Sequence, residues 1–239
     1  MKIINIYCFP FAGGGKYSYR EFTAKAPDML NFITLESPGR GARSGEPILY
    51  ELEAIVEDAY NQLMLDELYW TRPYAFYGHS MGAIVGFLVA QKIAQSPSLP
   101  KPLRLFLTGR SGPSANAERH YHSLPENLFI QKLQELGGMP EEILRNRDLM
   151  HFFEPVLRAD FKALETFKYC QSEPLDIPID VVIGLGENIS QDQARAWVKE
   201  STAQVEIKRM PGNHFFIFDH ALTLMRLMSY KLTGEILMY

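Results

Sequence analysis

Short apolar runs alternate with segments of helical periodicity along most of the chain, and this alternation restricts the possible folds more than any other feature. Six runs rich in β-branched and aromatic residues have the length of buried strands: 3–8, 31–36, 74–78, 103–109, 179–184 and 204–210. Between them, residues 50–68 and 81–95 carry apolar side chains at helical spacing. The pattern predicts an α/β fold in which a mostly parallel central sheet of roughly six or seven strands has helices on both faces.

One long interval interrupts this alternation. Gly109, at the end of one predicted strand, is followed by about 70 residues before Ile179 begins the next, which is more than a crossover helix and its short loops need. Two stretches of this interval, 124–138 and 147–169, again have helical spacing. We therefore expect one domain over residues 1–239 with a helical insertion at about 115–172. The insertion packs on the body or, as the alternative, forms a mobile lid with an apolar underside.

The charge and the cysteine content argue against several classes of protein. The net charge is −4 without any run of Lys or Arg, which disfavours a nucleic-acid-binding surface. The longest unbroken apolar stretch, 83–90, is well short of the ~20 residues that a membrane-spanning helix needs. Cys8 and Cys170 are too few for a disulfide framework or a metal knuckle. We expect a monomer in the reducing cytoplasm.

The segment GHSMG, residues 78–82, fits the G-x-S-x-G pattern of a nucleophile elbow and lies between a predicted strand and a predicted helix. A strand that turns abruptly into a helix crowds the positions two before and two after its apex, so glycine is required at both. The apical residue, Ser80, is then exposed above the sheet at a helix N-terminus that favours negative charge. Ser80 is the predicted nucleophile.

A serine hydroxyl needs a base, and in this arrangement the histidine comes last in the chain. Among the six histidines, His214 follows the last predicted strand in a glycine-containing loop and is the expected base. His79 neighbours the nucleophile, but its side chain should point elsewhere at so sharp a turn. His120 and His122 form an H-x-H pair without a third ligand at a suitable spacing, so we expect surface residues and no metal site.

The carboxylate that orients the histidine should follow the strand at 179–184. Glu187 lies close to the end of this strand and is the expected acid. Asp192 is the reserve candidate, although Ser190 could cap a helix there and leave Asp192 in its first turn.

A tetrahedral oxyanion requires preorganised donors. One should be the backbone amide of Met81, directly after the nucleophile. The other should come from the loop after the first strand, where the amide of Ala12 is the first candidate. Phe11 is the next candidate donor and is also expected to contact the substrate.

The glycines at 13–15 also partly match two nucleotide-binding patterns. A dinucleotide-binding G-x-G-x-x-G motif would place its third glycine at Ser18. A P-loop requires Ser or Thr after its lysine, where this chain has Tyr17. Neither pattern explains Ser80 or His214.

Taken together, the motifs resemble the type II thioesterases of nonribosomal peptide and polyketide assembly lines, a branch of the α/β hydrolases. The similarity extends over most of the chain and includes CFPFAGGG (8–15), SPGRGAR (37–43), GHSMG (78–82), LFLTGRSGP (105–113), LGGMPEEIL (136–144), PVLRADF (155–161) and GNHFF (212–216). The PGRG-x-R and LRAD segments are specific in combination, because a general esterase has no reason to carry them.

This resemblance implies an α/β-hydrolase fold and an editing enzyme that removes wrong or stalled acyl groups from the phosphopantetheine arm of acyl or peptidyl carrier proteins. The enzyme would need no cofactor of its own, and its helical insertion would be a lid over the acyl chain. Ser80 would attack the thioester, His214 would protonate the departing thiol, and Met81 and Ala12 would bind the oxyanion. The family usually has an aspartate in a G-x-x-D segment, where this chain has Glu187.

Arginines in two of these segments have two interpretations each. Arg40 and Arg43 could bind a phosphate of the pantetheine arm, since guanidinium suits that geometry, or form ion pairs that hold the loop after the second strand. Arg158 and Asp160 could pair with each other or fasten the lid.

Two other functions are compatible with the same residues. A small-molecule carboxylesterase or lipase would use the same triad, and a non-catalytic binding protein could retain the same fold.

Overall fold

Six parallel strands form the centre of the computed structural model, which describes residues 3–115 and 120–234 apart from the side chains of residues 68 and 70. The strands are β1 (Ile4–Phe9), β2 (Leu30–Thr34), β3 (Tyr74–His79), β4 (Leu105–Thr108), β5 (Ile179–Gly184) and β6 (Val205–Met210). Their order in the sheet is β2-β1-β3-β4-β5-β6, with every neighbouring pair parallel. The predicted α/β class and parallel sheet are confirmed, and each strand begins and ends within one or two residues of its predicted run.

Helices connect the strands. They are α1 (Arg20–Thr23), α2 (Leu52–Leu65), α3 (Glu67–Thr71), α4 (Met81–Ala94), α5 (Glu126–Leu136), α6 (Glu141–Arg145), α7 (Arg147–Thr166), α8 (Gln191–Arg195), α9 (Phe216–Asp219) and α10 (Ala221–Thr233). The helix predicted at 50–68 is divided into α2 and α3, because Asp66 adopts an extended conformation between them. None of the helices in the described part of the chain is both long and apolar enough to span a membrane.

The sheet is covered on both faces. Alternate residues of β1 enter two different hydrophobic clusters, because successive side chains of a strand point to opposite faces. Tyr7 and Phe9 pack in the cluster that contains residues of α2 and α4. Ile6 and Cys8 pack in the cluster that contains residues of α1, α9 and α10. This burial on both faces explains why the central strands read as continuous apolar runs.

The segments that follow β1, β3, β5 and β6 meet at one edge of the sheet, because all strands run in the same direction. In open α/β sheets, this carboxyl edge is where ligands bind. The loop with Ala12 follows β1, Ser80 follows β3, Glu187 follows β5 and His214 follows β6.

The interval between β4 and β5 contains α5, α6 and α7, together with 3₁₀ turns at Pro113–Ala115 and Tyr121–Ser123. We call the described residues of 113–166 the helical insertion. Its helices have a small core of their own, formed by Phe129, Leu133, Leu144, Met150 and Leu157. The helices predicted at 124–138 and 147–169 are present as α5 and α7. The short α6 was not predicted, and residues 116–119, at the start of the predicted insertion, lie outside the described residues.

Candidate active site

Ser80 occupies the sharp turn between β3 and α4. Its φ is 55° and its ψ is −111°, and among the described residues it is the only non-glycine with a positive φ. Such a conformation is costly and persists only where the surrounding structure enforces it. Here the backbone N–H of Ser80 donates to the carbonyl of Thr108 at 2.9 Å, which ties the turn to the adjacent strand.

The two glycines of the GHSMG motif are required by contacts with backbone atoms. A Cβ on Gly78 would lie 2.1 Å from the carbonyl oxygen of Gly82. A Cβ on Gly82 would lie 1.8 Å from the carbonyl oxygen of Phe9 in β1. Side chains at either position would therefore push α4 away from the sheet, as the sequence argument expected.

His214 lies in the loop after β6 and reaches the serine. Its Nε2 atom is 3.0 Å from Oγ of Ser80, within hydrogen-bonding distance. Its Nδ1 atom is 2.6 Å from Oε1 of Glu187. The three side chains thus form one continuous chain from hydroxyl to imidazole to carboxylate, which is the arrangement of a serine-hydrolase triad.

Glu187 is held in place on both of its carboxylate oxygens. While Oε1 faces His214, Oε2 accepts a hydrogen bond from the backbone N–H of Gly184 at 2.7 Å. The side chain is only 4% exposed. The extra methylene relative to aspartate is accommodated because the chain turns back between residues 184 and 187, where the N–H of Glu187 donates to the carbonyl of Gly184.

Asp192, the reserve acid, lies elsewhere. It is exposed in the first turn of α8, and Ser190 caps this helix through a capping box with Gln193. The structure therefore brings Glu187 and not Asp192 to His214.

His79 is buried beside the triad without joining it. Its Nδ1 atom lies 3.0 Å from Oγ1 of Thr108, and its ring centroid is 4.8 Å from that of His214. Burial, and to a lesser extent the nearby His214, hold the pKa of His79 well below its ordinary value. The imidazole of His79 therefore favours its neutral form and packs between Thr108 and His214, next to the turn at Ser80.

The two predicted oxyanion donors belong to different elements. Met81 begins α4, and Ala12 lies in the loop after β1. The next two amides of this loop already have acceptors within the protein. The N–H of Gly13 donates to Asp160 at 2.7 Å, and the N–H of Gly14 donates to the carbonyl of Phe11 at 2.8 Å.

Two cavities meet at Ser80 and His214. One has a volume of about 660 Å³ and lies between the body and the helical insertion. Its apolar lining comes from Leu133, Leu136, Met139, Ile143, Phe153, Leu157, Phe161 and Leu164 of the insertion and from Phe11, Phe215 and Phe218 of the body. We call it the apolar cavity.

The second cavity, of about 470 Å³, lies on the side of β5 and α8. Its lining is rich in polar side chains, among them Ser111, Lys132, Glu135, Asn188, Gln193 and Asn213. We call it the polar cavity.

The predicted phosphate-binding role of Arg40 and Arg43 is not supported by their contacts. Both guanidinium groups are bound to carboxylates of the chain, Arg40 to Asp160 and Arg43 to Asp58 and Glu46. Neither arginine lines the apolar or the polar cavity. The contacts correspond instead to the alternative interpretation, ion pairs that hold the loop after β2.

Arg158 and Asp160 do not pair with each other. Arg158 binds Glu154 at 2.6 Å and donates to the carbonyls of His122 and Leu124, so it joins α7 to the preceding 3₁₀ turn. Asp160 is fully buried against Arg40 and the loop after β1. Sequence reasoning missed this pairing, although the two residues stood in the two most specific motifs.

No group of three or more His, Cys, Asp or Glu side chains within the described residues is arranged to hold a metal ion. His122 of the H-x-H pair is half-buried, with its Nδ1 atom 2.5 Å from Oε2 of Glu165, and His120 is exposed.

The chain also matches a known protein family. The thioesterase domain family model matches residues 4–232. The chain is similar to the gramicidin S biosynthesis protein GrsT of Aneurinibacillus migulanus, at 32% identity over 231 residues, which cover 96% of this chain and 89% of GrsT. Among solved structures it is similar to ClbQ from the colibactin NRPS/PKS pathway, with a TM-score of 0.88, 28% identity and coverage of 97% and 98% of the two chains.

A further solved structure, the type II thioesterase YbtT from the yersiniabactin NRPS/PKS pathway, aligns with a TM-score of 0.86 at 26% identity and covers 98% of this chain and 94% of that one. The family match, over residues 4–232, spans the segment that contains Ser80, Glu187 and His214. The protein therefore belongs to the thioesterase domain family and is a hydrolase of thioesters.

Proposed function

We propose that this enzyme is a type II thioesterase that removes acyl groups from the phosphopantetheine arm of carrier proteins in nonribosomal peptide or polyketide assembly lines. The observation that carries the proposal is the hydrogen-bonded chain from Ser80 through His214 to Glu187 at the meeting point of an apolar and a polar cavity. The relatives that are named as thioesterases of such pathways support the choice of substrate.

The first half of the reaction acylates the serine. His214 Nε2 takes the proton of Ser80 as Oγ attacks the thioester carbonyl, and the amides of Met81 and Ala12 bind the resulting oxyanion. Glu187 holds the proton on Nδ1 and stabilises the imidazolium. The C–S bond then breaks, and His214 returns its proton to the departing sulfur, which leaves as the free thiol of the carrier arm.

The second half releases the acyl group. His214 takes a proton from water, whose oxygen attacks the carbonyl carbon of the acyl-serine. The tetrahedral intermediate collapses, the bond to Ser80 Oγ breaks, and the proton held by His214 passes to Oγ. The products are a free carboxylic acid and the regenerated enzyme.

The two cavities suit the two ends of the substrate. The apolar cavity, walled by the helical insertion, fits the acyl chain, because burial of its methylene groups is favourable by about 0.8 kcal/mol each. The pantetheine arm contains two amides and a hydroxyl, which require hydrogen-bonding partners, so it fits the polar cavity with Asn188, Gln193 and Asn213. In this arrangement the helical insertion acts as the lid.

The partners, the cofactor requirement, the oligomeric state and the location of this enzyme are further expectations. The partners are acyl or peptidyl carrier proteins and not nucleic acids, the protein needs no cofactor of its own, and it acts as a monomer in the cytoplasm. These points stay predictions.

The test compares hydrolysis of an acyl group on a holo-carrier protein with hydrolysis of the matching p-nitrophenyl ester, using Ser80→Ala as the inactive control. We expect a higher kcat/KM on the carrier-bound thioester and an acyl adduct on Ser80 in the mass spectrum of the trapped wild-type enzyme. A clear preference for the ester would indicate a small-molecule esterase. Absence of fluorophosphonate labelling at Ser80 would indicate a non-catalytic protein.

A further inference from the structure

Helix α7 of the insertion contacts the loop after β1 at Gly13 through a hydrogen bond and through a packed side chain. Oδ2 of Asp160 accepts the backbone N–H of Gly13 at 2.7 Å. One turn earlier, Leu157 packs directly over Gly13, where an added Cβ would lie 2.3 Å from Cδ2 of that leucine. A side chain at Gly13 would therefore require Leu157 to move and would also be strained by the positive φ.

The same carboxylate is bound by Arg40. Nη1 and Nη2 of the guanidinium donate to Oδ2 and Oδ1 of Asp160 at 2.7 and 2.8 Å, and Nη1 also donates to the carbonyl of Gly14 at 3.0 Å. Asp160 is fully buried and Arg40 is 8% exposed. The ion pair thus holds two consecutive residues of the loop, one by its N–H and one by its carbonyl.

This loop is held partly by its own bond from Gly14 N–H to the Phe11 carbonyl and partly by the bonds to Asp160 and Arg40. Residues 13–15 are glycines, which lose more conformational freedom on folding than any other residue, and Gly13 has a φ of 75°. Ala12, the predicted oxyanion donor, directly precedes Gly13. The direction of the Ala12 amide therefore depends on the bonds that hold Gly13 and Gly14.

We propose that Asp160 is a positioning residue that couples the helical insertion to the oxyanion hole. This inference rests on the proposed function. The hole is complete only while α7 is seated on the body, because lifting α7 breaks the bond from Gly13 and withdraws the partner of Arg40. Acyl transfer is thereby restricted to the closed form, in which the acyl chain is enclosed.

Two sets of variants separate positioning from simple stabilisation. In Asp160→Asn, the amide oxygen can replace only one carboxylate oxygen, so either Arg40 Nη2 or the pair of Gly13 N–H and Arg40 Nη1 faces the NH₂ group, which is itself a donor. In the double variant Arg40→Met/Asp160→Leu, both charges are removed together, and replacement of a buried pair by apolar residues is often neutral or stabilising. The double variant keeps the contact between α7 and the body but offers no acceptor to Gly13.

The matched control is Arg158→Met on the same helix. Arg158 binds Glu154 and the carbonyls of His122 and Leu124, and these three bonds all lie inside the insertion. The change in kcat of Arg158→Met shows how much turnover depends on the stability of the insertion alone.

The measurements are kcat and KM on an acylated carrier protein, the melting temperature, and the affinities for two ligands with the same acyl chain. An aldehyde of this chain forms a tetrahedral adduct on Ser80 and uses the oxyanion hole, whereas an alkyl thioether of the same length has no carbonyl carbon and does not. For Asp160→Asn and for the double variant we expect kcat to fall roughly 10- to 100-fold, up to the cost of a misplacement of about 1 Å. Aldehyde affinity should fall in parallel, while thioether affinity and KM should change less than about threefold.

The double variant distinguishes positioning from stabilisation. Compared with Asp160→Asn, it should regain the wild-type melting temperature but not the wild-type kcat. If it regains both, or if Arg158→Met lowers kcat and aldehyde affinity as much as Asp160→Asn does, the pair only stabilises the fold and the inference is wrong. If the double variant does not fold, the ratio of aldehyde to thioether affinity in Asp160→Asn gives the answer by itself, and an unchanged ratio overturns the inference. Failure of the wild-type enzyme to hydrolyse the carrier-bound thioester would instead overturn the proposed function.

Discussion

The carboxylate of Glu187 lies 2.6 Å from Nδ1 of His214 and is held there by its second oxygen, which accepts the N–H of Gly184 at 2.7 Å. A glutamate, one methylene longer than an aspartate, thus occupies the acid position of the chain from Ser80 to His214. The longer side chain is accommodated by the tight turn at residues 184–187. Nε2 of His214 therefore still lies 3.0 Å from Oγ of Ser80.

Glu187→Gln should lower kcat/KM by roughly 10²- to 10⁴-fold. A glutamine has one oxygen and one NH₂ group, so it cannot accept hydrogen bonds from both His214 and Gly184, and it carries no charge to stabilise the imidazolium. Asp192→Asn, on the exposed first turn of α8, should leave kcat/KM unchanged. Steady-state hydrolysis of a carrier-bound thioester tests both variants, and loss of activity only in Asp192→Asn would show that the acid is assigned wrongly.

His79 should make the fold sensitive to mild acid. Its pKa is held well below the ordinary 6.5 by burial, so the unfolded chain binds a proton below about pH 6.5 that the folded protein does not bind. The stability contributed by the neutral imidazole is therefore present above this pH and lost as the pH falls. The free energy of unfolding should decrease by up to about 1.4 kcal/mol per pH unit from this group.

His79→Asn should flatten this dependence, because the amide can keep the bond to Thr108 but does not titrate. Urea denaturation at pH 7 and pH 5 measures the slope, and His151→Asn on the exposed side of α7 is the control. An equal slope in wild type and His79→Asn would mean that other groups cause the acid sensitivity.

Gly82→Ala should cost at least about 3 kcal/mol of the free energy of unfolding, or prevent folding altogether. The new Cβ would lie 1.8 Å from the carbonyl oxygen of Phe9, and backbone cannot yield as a flexible side chain does. Gly45→Ala is the control, since an added Cβ meets no heavy atom within 4 Å there. Chemical denaturation compares the two, and wild-type stability of Gly82→Ala would contradict the close approach of α4 to β1.

Ile143→Trp should narrow the apolar cavity and shift the preference toward short acyl chains. Ile143 is half-buried in α6 and lines this cavity of about 660 Å³. The ratio of kcat/KM for a long chain to that for acetyl should fall by roughly tenfold or more, since one or two methylenes in an apolar pocket are worth that much. The exposed Leu149→Trp serves as the control. An equal loss for all chain lengths would place the acyl chain elsewhere.

Most of the catalytic chain was predictable because its signals are local. A buried parallel strand, a glycine-flanked serine and a buried apolar helix follow one another within a few residues of the chain. His214 was identifiable for a similar reason, since it directly follows the last strand. The choice between Glu187 and Asp192 was harder because both follow the same strand, and only the capping box at Ser190 hinted that Asp192 begins a helix.

The amino-acid sequence alone determined the sheet, the nucleophile turn and the order of the catalytic residues, because hydrophobic period and glycine placement act over short distances along the chain. Tertiary structure decided which side chains meet across long separations. Arg40 and Asp160 are 120 positions apart, and Gly13 and Asp160 are 147 apart. No local pattern specifies such a partner, since a buried carboxylate binds whichever donors the folded backbone brings within about 3 Å of it.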